Sequence, residues 1–178
     1  MVFILSKQKL ILGIFLWLLI IAFIVVVPQL PLVSNQPIEA PFLHVDGSDK
    51  AIVFFGFSEC SDTCPVTLTL LSKLLSNAAQ DTELPLVIFV DIDQQSSEKQ
   101  ASLYAKGFHT SFVGYHPNIL ELEKLSIDFG LNFRRSNSQI LHQGRTYLLK
   151  KYGENWRLIK SLNSNTFSTD TLKNELSL

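Results

Sequence analysis

Two cysteines and one methionine are all the sulfur this 178-residue chain carries. The lone Met1 excludes a methionine-based carrier of soft metal ions. Two cysteines are also too few for a disulfide-dense secreted scaffold. Charge is sparse, at 17% of residues, and balanced: 15 Lys and Arg stand against 16 Asp and Glu, a net charge of −1. With a pI near 6.4 there is no basic field to hold a phosphate backbone, which excludes nucleic acid as a partner. Repeats and low-complexity tracts are missing as well, which excludes solenoids and arrays. What is abundant is hydrophobicity, 47% of the chain with a mean hydropathy of +0.23, and most of the excess lies in the first thirty residues.

Leu10 to Val27 runs for 18 positions without a charge. As a helix it would reach about 27 Å, enough with its flanks for a bilayer core of about 30 Å. The expectation is a transmembrane helix over 10–27. A cleaved signal peptide has a shorter apolar core and a small-x-small site, whereas Pro28-Gln29-Leu30-Pro31-Leu32 follows here. Lys7 and Lys9 precede the run and the next basic residue is Lys50, so the positive-inside rule assigns 1–9 to the cytoplasm and the rest to the outside. The absence of an Arg- and Ser-rich transit segment points to a bacterial plasma (inner) membrane and a periplasmic domain. Residues 28–41, polar and proline-containing, read as a linker, and 42–178 as one domain.

Within that domain, 50–57 is a short β-branched and aromatic run, the pattern of a strand buried on both faces. It leads into Cys60 and Cys64, after which Val66, Leu68, Leu70, Leu71, Leu74 and Leu75 recur at helical spacing up to Ala79. Pro65 suits the first helical turn, so Cys64 lies at or beside the helix start. A second buried-type strand (84–90), a helix (96–108, capped by Ser96 or Ser97), a short strand (111–115) and a helix (119–128) follow. Two alternating runs, 139–151 and 156–162, then predict a hairpin, and 168–176 a last helix with Thr169 or Asp170 near its cap. The fold class is α/β: a thioredoxin-like mixed sheet flanked by helices, with a β-hairpin.

A loop of three residues between Cys60 and Cys64 gives a disulfide little stabilising power, and the pair sits where a buried strand turns into a helix. A functional pair is the better reading, for redox exchange or for metal ligation. Glu59 and Asp62 flank the thiols and no Lys, Arg or His lies within the motif, an unsuitable setting for a strong dithiol oxidant or a peroxidase. Two thiolates with one imidazole suit copper, especially Cu(I). Of the four histidines, His142 is the best third ligand because it lies near a turn at Gln143-Gly144; His44, His109 and His116 read as solvated loop residues. Asp91 and Asp93 read as a solvated loop start rather than a hydrolytic pair.

Phe54-Phe-Gly-Phe57 followed by Cys60-x-x-x-Cys64-Pro65 resembles the Sco/SenC family of membrane-anchored copper proteins. Val90-Asp91, Tyr104, Phe108, Phe112-Val-Gly114 and His142 five residues before Tyr147 are similar to its order over about residues 40–165. The resemblance implies a thioredoxin-like fold and copper, as Cu(I) and also Cu(II), held by Cys60, Cys64 and His142. It implies as partner the copper-receiving subunit of cytochrome c oxidase, or another extracytoplasmic copper or thiol protein. The function implied is delivery of copper to the binuclear centre of that oxidase, or reduction of its thiols during assembly. Gln95 and Leu141 stand where the family usually has aspartates. The competing function is a membrane-anchored thiol–disulfide reductase in which Cys60 and Cys64 cycle through a disulfide without copper. A redox or copper sensor would use the same atoms.

Overall fold

The computed structural model describes residues 2–26, 35–44, 47–78, 83–131, 133–136, 139–142, 144–163 and 167–176, with side chains of 2–8, 10–11, 24–26 and 133–142 left aside. The chain divides into two units, 1–32 and 33–178. The first is a single helix, α1 (Val2–Val26). From Leu12 to Phe23 it carries only apolar side chains and one glycine, and its large residues there are exposed. Among the described residues no helix is long and apolar enough to cross a membrane; the expected span of 10–27 runs past the side chains described.

The second unit runs β1 (Gln36–Ile38), a 3-10 turn (Pro41–Leu43), β2 (Lys50–Gly56), α2 (Thr63–Ser76), β3 (Leu86–Asp91), α3 (Glu98–Phe108), β4 (Val113–Tyr115) and α4 (Ile119–Asp128). It continues with β5 (Phe133–Ser136), β6 (Gln139–His142), β7 (Thr146–Tyr152), β8 (Asn155–Leu162) and α5 (Thr169–Leu176). Six strands form one sheet in the order β1-β8-β7-β2-β3-β4, parallel for β2, β3 and β4 and antiparallel elsewhere, while β5 and β6 pair as a separate two-stranded sheet. The mixed α/β expectation holds.

The continuous apolar runs of β2 and β3 are explained by burial on both faces. Ala51, Val53, Phe55, Ile88 and Val90 pack with Leu122 and Leu125 of α4 on one side. Ile52, Phe54, Val87 and Phe89 pack on the other with Leu68, Leu71 and Leu74 of α2, Ala105 of α3 and Leu172 of α5. Alternation of side chains along a strand divides them so. The cysteines belong to the second face.

Two expectations are corrected and a third is sharpened. The linker reading stops short, because Gln36–Ile38 pairs with β8 and Trp156 Nε1 donates to the Leu43 carbonyl at 3.1 Å, drawing this stretch into the domain. The first hairpin arm, 139–151, is two strands: β6 ends at His142 and pairs with β5, and β7 starts afresh at Thr146. The last helix is capped by Ser168, whose Oγ accepts from the Thr171 amide at 3.1 Å. On α3 the cap is Ser97.

Candidate metal centre

The centre is built where β2 runs out. Phe57 accepts the Cys60 amide proton at 3.1 Å, closing the turn that carries Cys60, and α2 then begins at Thr63. Pro65 takes the third helical position, where no intrahelical amide bond is lost. Cys64, the second helical residue, is 0% exposed, whereas Cys60 is half-buried. The two thiols share a hydrogen bond. Burial holds the Cys64 thiol far above its ordinary range, helped by the bond to Cys60 and the negative charges of Cys60 and Asp91, while the Phe57 backbone bond works against this. The partial positive charge of the helix start favours a thiolate, but desolvation wins. The Cys64 thiol therefore rests protonated, and a soft cation or oxidation must displace that proton.

Gly56 makes the pocket for Cys64. A Cβ placed on Gly56 would lie 2.9 Å from Cys64 Sγ, 2.9 Å from Phe89 Cε2 and 3.1 Å from Phe54 Cε1. Tyr104, packed on Phe89 and Phe108 with ring centroids 5.1 and 5.2 Å apart, stands within electrostatic reach of both cysteines. Its hydroxyl is pushed up to about 12, first by burial and then by the charges of Cys64, Cys60 and Asp91. Neither residue had a chemical signal of its own in the sequence.

Asp91 overturns the solvated-loop reading. It is 0% exposed, opposite Gly56 in the sheet register. Its Oδ2 accepts from Ser96 Oγ at 2.8 Å and its Oδ1 from the Asp93 amide at 3.1 Å, so the chain after β3 folds back onto the carboxylate. Asp93 is half-buried and its carboxylate accepts from the Gln95 amide at 3.1 Å.

The histidines separate. His116, half-buried rather than solvated, bonds the Asp91 carbonyl through Nδ1 at 3.2 Å; because a carbonyl only accepts, Nδ1 carries the proton. His109 bonds Ser111 Oγ at 2.8 Å, and His44 is exposed beyond the 3-10 turn. His142 ends β6 opposite Phe133; its side chain lies outside the described residues. Among the described residues no three His, Cys, Asp or Glu side chains form a metal-holding group. The backbone beyond His142 nevertheless returns to the cysteine helix, since a Cβ on Gly144 would lie 2.8 Å from Thr63 Cγ2.

Residues 45–177 match the SCO1/SenC family. The chain belongs to that family. Among its relatives, a Stutzerimonas stutzeri protein that bears the name copper-binding protein is 32% identical over 111 residues, 60% of this chain and 53% of that protein. The chain thus matches about half the length of that relative. The solution structure of apo Sco1 from Thermus thermophilus superposes with a TM-score of 0.63 at 25% identity, covering 81% of this chain and 90% of that one. The copper-bound crystal structure of Arabidopsis thaliana ScoI gives 0.60 at 21% identity, covering 72% and 82%, which shows a shared fold. The thioredoxin-like reading of the sheet accords with these family structures.

Proposed function

We propose that this protein is a membrane-tethered copper chaperone that takes copper as cargo on Cys60, Cys64 and His142. It passes the ion to the copper-receiving subunit of cytochrome c oxidase, or to another extracytoplasmic copper or thiol protein. The single observation that carries the reading is the hydrogen-bonded thiol pair at the mouth of β2, one sulfur buried and the other half-buried, in a chain of the SCO1/SenC family. Two sulfurs close enough to share a proton are close enough to chelate one soft ion, and an imidazole completes a donor set suited to copper. Cu(I) is the favoured cargo, and Cu(II) is accessible to the same set. The half-buried sulfur gives an acceptor protein a point of attack for ligand exchange. Tethering rests on the apolar exposed helix α1 over Leu12–Phe23, on the charge-free run of 10–27 and on Lys7 and Lys9 before it. It leaves the domain on the periplasmic side of the inner membrane.

The same thiol pair supports a second reading, a thiol–disulfide reductase. A Cys60 thiolate attacks a partner disulfide, forming a mixed disulfide and releasing one partner thiolate. Cys64 then attacks Cys60, leaving an intramolecular disulfide and a partner reduced by two electrons.

Anaerobic Cu(I) titration of the reduced full chain in detergent micelles, against a chromophoric Cu(I) chelator, separates the readings. One tightly held equivalent that weakens in His142→Ala is expected. Affinity unchanged in His142→Ala, with partner-disulfide reduction intact, would instead favour the reductase.

A further inference from the structure

We infer that Gly144 and Thr63 form a clasp that seats the strand carrying His142 against the cysteine helix, which makes Gly144 a positioning residue for the copper centre proposed above, on which this inference rests. Gly144 is buried, at φ +28°, a backbone conformation that costs glycine least. A Cβ there would lie 2.8 Å from Thr63 Cγ2 and 3.8 Å from Thr63 Cβ, so a hydrogen atom alone lets the two backbones meet. Thr63 opens α2 and is bonded directly to Cys64. Gly144 lies two residues after His142, a separation of at most about 7 Å along extended chain. The contact therefore ties one candidate ligand's neighbour to the other's.

The topology explains why a tie is needed. β5 and β6 pair only with each other among the described residues, and a lone two-stranded hairpin is marginal in water. The chain from β6 to β7 is the short segment between His142 and Thr146, and Thr146 pairs with Phe54 near the end of β2 that leads into the cysteine turn. Gly144 sits in this segment, two residues before the paired Thr146 and against Thr63 in the first turn of α2. A Cβ at 144 therefore forces a shift, either of the Thr63 side chain, which is stiff at χ1, or of the segment that leads back to β6.

The test is a cycle on the reduced full chain in detergent micelles, reading Cu(I) affinity by chelator competition. Gly144→Ala is expected to weaken Cu(I) binding by about tenfold, the scale at which supporting residues act on a metal site. Thr63→Ser removes the one methyl that Cβ would strike, so in that background the loss caused by Gly144→Ala is expected to shrink to about threefold or less. Thermal melting and the rate at which a dithiol reduces the Cys60–Cys64 disulfide are measured alongside: Gly144→Ala is expected to melt lower than wild type because residue 144 holds a φ of +28°, while the rate stays near wild type. Gly144→Asn, which tolerates positive φ and still carries a Cβ, replaces the alanine variant if that one does not fold. Wild-type affinity in Gly144→Ala or Gly144→Asn overturns the clasp, and so does a loss that Thr63→Ser fails to relieve. His142→Ala separates the two levels: if it binds Cu(I) like wild type the copper centre itself falls, whereas a weakened His142→Ala beside an unaffected Gly144→Ala removes the clasp alone.

Discussion

Gly56 and Cys64 occupy one volume: the space a β-carbon of residue 56 would need is taken by the sulfur of residue 64. The end of a buried strand and the first turn of a helix are thereby locked at the distance of one van der Waals contact. Gly56→Ala should force the sulfur and the Phe89 ring apart, lowering stability by about 1–3 kcal/mol, as overpacking does. Urea unfolding of the reduced protein measures this, and an unchanged midpoint would show that the pocket yields at no cost.

Burial holds the Cys64 thiol above its ordinary value of 9.0. Folding favours its protonated form, so this contribution is complete below about pH 9 and declines as the pH rises, by up to about 1.4 kcal/mol per pH unit. The reduced protein should lose stability between pH 9 and 10.5 more steeply than Cys64→Ser, in denaturant titrations at a series of pH values. Parallel slopes in the two proteins would contradict the assignment.

The Asp91 carboxylate accepts one bond from Ser96 and one from a backbone amide. Asp91→Asn exchanges these two charge-assisted bonds for neutral ones, with Ser96 Oγ turning to accept from the new NH2 group, a loss of about 1 kcal/mol. Removing the charge also takes away one of the influences that hold the Cys64 thiol protonated. Iodoacetamide labelling followed by peptide mass mapping should find Cys64 alkylated faster in the variant than in wild type, where Cys60 is modified first.

On α4, Asn118 Oδ1 accepts from the Glu121 amide at 3.0 Å while Glu121 Oε2 accepts from the Asn118 amide at 2.9 Å and from the Tyr115 hydroxyl at 3.0 Å. Asn118→Ala breaks this reciprocal cap and should cost about 1 kcal/mol in thermal or urea unfolding. Copper affinity should not change, because α4 packs on the face of the sheet away from the cysteines.

The parts of this structure that could be read in advance are those where one local pattern dominates. β2 and β3 are continuous apolar runs because both faces are covered, and α2 repeats its leucines because one side faces the sheet. Cys60 and Cys64 stood out because a strand ends just before them. β1 could not be found, since three residues including Pro37 carry no period, and its existence depends on β8, more than a hundred residues away. The split between β6 and β7 was hidden because alternation continues across 139–151, whereas the backbone takes a positive φ at Gly144. Asp91 was misjudged for a related reason: an acid at a strand end is usually solvated, and its burial depends on Ser96 reaching back five residues. Gly56 and Thr63 act through shape, which leaves no mark in composition.

Both outer strands of the six-stranded sheet, β1 and β4, are three residues long, and the proline at the centre of β1 has no amide proton to offer. A neighbouring copy that approached either border would find too few free backbone groups to extend the ladder. Even when many molecules crowd together, these two short borders give a foreign strand little to pair with.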